Sequence, residues 1–104
     1  MRLQKNQIDQ IHVVILKYLQ QTSYELYLYG SRTDDLKKGG DIDLLILTSS
    51  TGLEFFKKQK LDLLVQIKKQ PDIGQRHIDL KCCTKEQLES DPFLKTIWPS
   101  CKRI

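Results

Sequence analysis

The feature that most constrains the fold of this chain is a pair of strand-like segments within LYLYGSRTDDLKKGGDIDLLIL, residues 26–47. The first segment ends at Gly30. The second begins with Asp41 and Asp43 and continues as an almost unbroken apolar run, which is typical of a strand covered on both faces. Because side chains alternate along a strand, the two carboxylates lie on the same face and repel each other. A buried strand of this kind needs a partner that offsets the repulsion.

The N-terminal half also predicts two long helices that cover such a sheet. Apolar residues recur at helical spacing before the first strand, and they predict a helix at about residues 6–21 with Asn6 as its N-cap. Thr51 and Glu54 have capping-box spacing at the start of a second helix. The predicted buried stripe of this second helix consists of Leu53, Phe56, Leu61, Leu64 and Ile67.

The C-terminal third predicts shorter elements. A third strand spans about residues 77–82, Thr84 with Gln87 has the spacing of a helix cap, and Asp91 precedes a last helical turn. The tail SCKRI predicts a short edge strand. The order of elements predicts an α+β fold, a small mixed sheet with flanking helices, in a single domain at residues 1–104.

Composition limits the classes of function. The hydrophobic share of 39% and the charged share of 29% are typical of a soluble globular domain. No apolar run approaches the roughly 20 residues that span a bilayer, and the first ten residues lack a signal-peptide core. We therefore expect a cytoplasmic protein. The net charge of +4 suits a partner that carries phosphate groups, and a solvated helix face explains the lysines of residues 57–69 equally well.

The three cysteines predict reduced thiols rather than disulfides or a metal site. Their count is odd, and the adjacent Cys82 and Cys83 cannot readily pair with each other. The spacing to Cys101 does not match a zinc motif. We expect reduced thiols, half-buried near the end of a strand.

A third carboxylate suggests what could offset the repulsion between Asp41 and Asp43. Asp79 lies in the third strand, and it joins Asp41 and Asp43 if that strand lies beside theirs. Mg²⁺ prefers carboxylate and phosphate oxygens, so three acids at one sheet edge predict a magnesium site. Asp72 is the nearest alternative, but it follows Pro71 in a turn, which favours a role as a cap or a loop residue. The competing interpretation of the pair is strand-entry carboxylates that face solvent.

The segment after the first strand predicts a phosphate site. A glycine at a strand end lets the backbone approach a phosphate, and the following N–H groups with the Ser31 hydroxyl are donors. Arg32 can offer a fork of donors to phosphate oxygens, or it is a surface arginine. Phosphate-binding groups beside carboxylates that hold Mg²⁺ are what phosphoryl or nucleotidyl transfer requires.

These residues resemble a known family. GSRTDDLKKGGDIDLLIL is similar to the Gly-Ser…Asp-x-Asp signature of the DNA-polymerase-β-like nucleotidyltransferase superfamily, and the order of elements resembles its minimal nucleotidyltransferase branch. The resemblance implies the polymerase-β-like palm fold and Mg²⁺-dependent transfer of an NMP from an NTP. It implies that Asp41, Asp43 and Asp79 hold two metal ions and that Gly30 and Ser31 contact the triphosphate. The loop between Ser31 and Asp41 is one residue shorter than in the usual pattern.

The resemblance also implies a partner. Minimal members are commonly paired with a helical HEPN-type toxin, the nucleotidyltransferase acts as the antitoxin, and some members add AMP to the toxin. We therefore expect ATP as donor and a hydroxyl of a partner protein as acceptor, with a nucleic-acid acceptor less favoured. Recognition of the acceptor comes from the partner or from a homo-oligomer. The second hypothesis is an antitoxin, or a nucleotide- or RNA-binding module, that works by binding and occlusion without catalysis.

Two further side chains receive structural interpretations. His12 lies beside apolar positions of the first helix and is predicted to be structural. Trp98 either covers the edge of the core or belongs to an exposed partner-binding patch, and the sequence leaves both open.

Overall fold

The structure is a computed structural model that describes residues 3–29, 42–74 and 77–104. None of the helices in these ranges is both long and apolar enough to cross a membrane. Its elements are, in chain order, α1 (Lys5–Tyr18), β1 (Tyr24–Leu28), β2 (Ile42–Thr48), α2 (Ser50–Lys68), β3 (Ile78–Cys83), α3 (Lys85–Ser90), α4 (Pro92–Ile97), a 3₁₀ turn (Trp98–Ser100) and β4 (Lys102–Arg103).

Within the described ranges, four strands form one mixed sheet in the order β3-β2-β1-β4. β1 is antiparallel to both β2 and β4, whereas β2 and β3 are parallel. A parallel pair requires a crossover connection, and α2 provides it. The predicted α+β fold, a small mixed sheet with flanking helices, is confirmed, and so is the edge strand near the C-terminus.

One face of the sheet packs on α1 and α2 and forms what we call the main core. Alternate residues of β2 point to this face, and Ile42, Leu44 and Ile46 are at most 1% exposed. The two helices contribute the buried side chains Ile11, Val14, Ile15, Leu19, Phe56, Leu63 and Ile67. Burial of this apolar surface is the main source of stability in a domain of this size.

The other face of the sheet carries a smaller group of buried residues, which we call the second cluster. It consists of Tyr29, Leu45, Cys83 and Leu94. Side chains of α3 and α4, Leu88 and Ile97 among them, pack against it. Because α3 and α4 have only six residues each, they cover part of this face.

The predicted caps of the two short helices are confirmed. Thr84 and Gln87 form a capping box, in which the Gln87 N–H donates to the Thr84 hydroxyl (3.3 Å) and the Thr84 N–H donates to Gln87 Oε1 (3.0 Å). The Asp91 carboxylate accepts from the N–H of Phe93 (2.8 Å) at the start of α4. These bonds satisfy N–H groups that a short helix otherwise leaves without partners.

The predicted N-cap of α1 is wrong. The helix begins after Gln4, whose backbone N–H donates to the side chain of Gln7 (2.7 Å). Asn6 lies inside the helix, and its amide donates to Asp72 Oδ2 (2.6 Å). The polar side chain that suggested a cap therefore makes a contact with a residue distant in the sequence.

The predicted cap and the predicted buried stripe of α2 are also wrong in part. Its N-cap is Ser49, which accepts from the Gly52 N–H (3.2 Å), rather than Thr51. Leu61 is 77% exposed, whereas Leu63 is fully buried. Residues two apart lie on opposite sides of a helix, so only one of these leucines can join the buried stripe.

His12 and Trp98 occupy structural positions. His12 Nδ1 lies 2.6 Å from the Tyr24 hydroxyl and its Nε2 lies 3.2 Å from the Ile104 carbonyl, which links α1 to β1 and to the residue after β4. Trp98 packs edge-on against Tyr27 with ring centroids 4.8 Å apart. Tyr27 in turn packs against the second cluster, and Trp98 keeps 36% of its surface exposed.

Candidate active site

Two of the predicted acids, Asp43 and Asp79, lie side by side near the start of β2 and β3. They are register partners in the parallel ladder, where neighbouring strands are about 4.8 Å apart. Both point to the face of the second cluster, because Leu45 and Cys83 follow them at even spacing and belong to that cluster. Both acids are half-buried. The strand placement predicted for Asp79 is therefore correct.

The other predicted site residues lie outside the described residues, so their positions and roles stay predictions. These residues are Gly30, Ser31, Arg32 and Asp41. The structure places their neighbours in the chain. Tyr29 precedes Gly30, and Ile42, which follows Asp41, donates its N–H to the His77 carbonyl (2.9 Å) beside β3.

Tyr29 contacts both acid-bearing strands. Its backbone N–H donates to the Asp43 carbonyl (3.1 Å), which extends the pairing of β1 with β2. Its hydroxyl donates to Asp79 Oδ2 (3.1 Å), across β2. Burial of the ring, followed by the negative charge of Asp79, raises the pKa of Tyr29. The phenol is therefore protonated at neutral pH and acts as a hydrogen-bond donor.

Lys81 is the second neighbour of the Asp79 carboxylate. Its ammonium lies 3.4 Å from Oδ1, and the side chains of Lys81 and Asp79 are 35% and 41% exposed. The same ammonium lies 5.3 Å from the ring centroid of Phe93. An ion pair this long and this exposed contributes little energy and yields readily to a stronger cation.

Sequence reasoning missed both Tyr29 and Lys81. The signal for Tyr29 was its place at the end of a buried strand directly before Gly30, where an apolar residue would have sufficed. The signal for Lys81 was its spacing of two from Asp79 on the same strand, which puts both side chains on one face. Neither signal identifies the contact until the register of the strands is known.

The donor set at this edge fits a hard divalent cation. Asp43 and Asp79 supply carboxylate oxygens on adjacent strands, and their partial exposure leaves room for the waters that Mg²⁺ retains. Like charges on adjacent strands repel, and a cation between them removes that cost. Lys81 supplies one positive charge near Oδ1 of Asp79, and a bound cation would replace this lysine.

Asp72, the alternative third acid, has a structural role. Its carboxylate accepts hydrogen bonds from Asn6 (2.6 Å) and Gln10 (2.7 Å) of α1, and its carbonyl accepts from Gln7 (2.9 Å). The turn after α2 is thereby fixed to the N-terminal half of α1. The expectation of a loop or capping role is confirmed.

The cysteines are free thiols, as predicted. Burial raises the pKa of Cys82 to about 12 and that of Cys83 to about 11. A thiol with such a pKa is protonated at neutral pH and is a poor nucleophile.

The chain matches the family model described as "Nucleotidyltransferase domain" over residues 11–104. The protein belongs to this family. The match confirms the polymerase-β-like superfamily that the Gly-Ser…Asp-x-Asp pattern predicted, and it identifies the general activity as transfer of an NMP. Nucleotidyltransferase domains generally use an NTP and divalent metal ions, and the acid pair of this nucleotidyltransferase domain supplies ligands of the required type. No curated protein matches the chain.

Proposed function

We propose that this nucleotidyltransferase domain transfers AMP from ATP to a hydroxyl of a partner protein and acts as the antitoxin of a toxin–antitoxin pair. The observation that carries the catalytic part is the Asp43–Asp79 register pair on parallel strands. The specific donor, the acceptor and the helical HEPN-type toxin rest on the resemblance to minimal nucleotidyltransferases.

The proposed roles rest on the family resemblance and on the neighbouring strand positions of Asp43 and Asp79. Asp43, together with Asp41 two residues before it in the sequence, would hold the metal ions. Asp79, on the neighbouring strand, completes the ligand set and orients the acceptor hydroxyl. Magnesium, when bound, neutralises charge on the transferring phosphate and the leaving pyrophosphate.

The phosphate-contacting residues are proposed to be Gly30, Ser31 and Arg32. They follow Tyr29, whose backbone is hydrogen-bonded to Asp43, so the chain enters this segment beside the acid pair. Backbone N–H groups, a hydroxyl and a guanidinium are suitable donors to a triphosphate. Catalysis in such a site consists mainly of positioning and charge neutralisation.

The test is transfer of label from ATP to a co-purified helical partner encoded beside this chain. With α-labelled ATP and Mg²⁺, the wild type labels the partner, and γ-labelled ATP gives no label because the γ-phosphate leaves with pyrophosphate. The double variant Asp41→Asn/Asp43→Asn loses the activity by about 10³-fold or more, since several kcal/mol of charge stabilisation disappear. Asp62→Asn, an exposed position on α2, is the matched control and keeps wild-type activity.

The alternative function is occlusion of the partner without catalysis. Exposed aromatic surface favours it, since Phe93 is 49% exposed and Trp98 is 36% exposed, and a bound protein would cover both. Under occlusion, the double aspartate variant still neutralises the partner although nothing is labelled. Loss of neutralisation together with loss of labelling, in a variant that remains folded and still binds the partner, supports catalysis.

A further inference from the structure

We infer that Tyr29 is a positioning residue for the transfer reaction: its hydroxyl fixes the Asp79 carboxylate in the orientation that receives the divalent cation. The inference rests on the proposed function, in which Asp79 is a metal ligand. It assigns a role to a residue outside the Gly-Ser and Asp-x-Asp motifs.

The donor that Tyr29 presents is held rigidly. The residue is 5% exposed, and its ring is part of the second cluster with Leu45, Cys83 and Leu94. A buried hydroxyl needs a hydrogen-bond partner, and a ring packed in this way cannot rotate to bring its hydroxyl to a different one. The 3.1 Å bond to Asp79 Oδ2 therefore holds the carboxylate against the packed ring of Tyr29, which stays in place when the Asp79 side chain rotates.

The bond also leaves the carboxylate available to a cation. A carboxylate has about four lone-pair sites, and the Tyr29 hydroxyl occupies one of them on Oδ2. The neighbour of Oδ1 is the half-exposed Lys81 ammonium at 3.4 Å, beyond the usual range of a hydrogen bond. Without Tyr29, the Asp79 side chain could rotate toward Lys81 on its own strand. The tyrosine thus opposes an ion pair that would take the carboxylate away from the metal.

The backbone of Tyr29 also contacts the strand that carries the other acid, Asp43. Its N–H donates to the Asp43 carbonyl (3.1 Å), so one residue is hydrogen-bonded to both acid-bearing strands. Gly30 and Ser31 follow it directly in the sequence. Tyr29 therefore links the Asp79 carboxylate to the strand that carries Asp43, directly before the proposed phosphate-contacting residues in the sequence.

The first experiment measures metal binding alone. Mn²⁺ is titrated into the purified chain and followed by electron paramagnetic resonance for wild type, Tyr29→Phe, Tyr27→Phe and Asp79→Asn. Removal of a group that orients a metal ligand costs roughly 10-fold or more in affinity, and this is the loss expected for Y29F. Y27F is the matched control, because Tyr27 lies on the same strand face and donates to Glu25 rather than to Asp79. Thermal melts of Y29F and Y27F verify that the ring packing is retained.

The second experiment measures transfer as a function of Mg²⁺ concentration. If Tyr29 positions Asp79, Y29F is impaired at low Mg²⁺ and recovers as the metal approaches saturation, whereas a general defect in folding is not rescued. In the Asp79→Asn background, Y29F produces no further change in Mn²⁺ affinity, because its target carboxylate is gone.

The outcomes separate the two proposals. If D79N binds Mn²⁺ as tightly as wild type, Asp79 is not a ligand and the proposed metal site fails with it. If D79N loses binding while Y29F binds Mn²⁺ like wild type and Y27F, the metal site stands and the role of Tyr29 is overturned. Weaker binding by Y29F with recovery at high Mg²⁺ supports the inference.

Discussion

On one face of the sheet, helices of 14 and 19 residues bury a continuous apolar core, whereas on the other face two helices of six residues cover part of the strands. Asp43 and Asp79 lie on this second face, where both are half-buried. Stability and ligand access are therefore divided between the two faces of this small domain. The main core supplies stability, and the partial cover opposite leaves two carboxylates half-exposed and accessible to ligands.

β2 serves both faces at once. Leu44 points into the main core and Leu45 into the second cluster, and both are fully buried. This explains why the strand reads as an almost continuous apolar run. Asp43 interrupts the run near the start of the strand, and its side chain is half-buried.

The largest expected effect distinguishes the two faces by a pair of neighbouring substitutions. Leu44→Ala is expected to lower the free energy of unfolding by about 3–5 kcal/mol, because the rigid main core cannot collapse into the cavity. Leu45→Ala is expected to cost about 2–3 kcal/mol, because the short helices over the second cluster can shift to fill the space. Urea unfolding followed by circular dichroism measures both.

Leu61→Ala is the control for this pair, because the leucine is 77% exposed and its loss is expected to change stability by less than about 0.5 kcal/mol. An equal or larger cost for L45A than for L44A would show that the second cluster is as rigid as the main core, and the comparison would fail.

A smaller effect tests how the cover of the second face is held. Asp91 caps α4 by accepting from two backbone N–H groups, those of Phe93 and Leu94. Asp91→Ala is expected to lower stability by about 1 kcal/mol and to increase hydrogen exchange in α4 more than in α1 or α2. Glu89→Ala, an exposed position on α3, is the control. Uniform loss of protection across all helices would contradict a local role for the cap.

The smallest expected effect concerns the thiols. With pKa values of about 12 for Cys82 and about 11 for Cys83, little thiolate exists at pH 8, because the raised pKa favours the protonated form. Alkylation by iodoacetamide at pH 8 is therefore expected to be slow in the folded protein and fast in urea, as measured by mass spectrometry. Equally rapid alkylation in both conditions would mean that the packing around Cys82 and Cys83 opens readily in the folded protein.

The sequence predicted most of the architecture because the signals were local. Alternation, helical spacing and the caps at Thr84 and Asp91 each depend on residues close in the chain. The acidic start of β2 and the strand that contains Asp79 together predicted that Asp43 and Asp79 lie side by side. The errors came from contacts between distant segments. Asn6 has the chemistry of a cap but bonds to Asp72 instead. The bond from Tyr29 to Asp79 depends on the register of three strands, which no local pattern specifies.

The parallel pairing of β2 with β3 has a consequence during synthesis and folding of the protein. The two aspartates stand on opposite sides of the α2 crossover, so neither can find the other until the intervening helix has been made and the later strand has docked. During synthesis on a ribosome, a chain that has emerged only as far as α2 holds one half of the acid pair. Any chemistry that needs both carboxylates is therefore absent from incompletely synthesised chains, and it begins only when β3 has paired with β2 in the sheet.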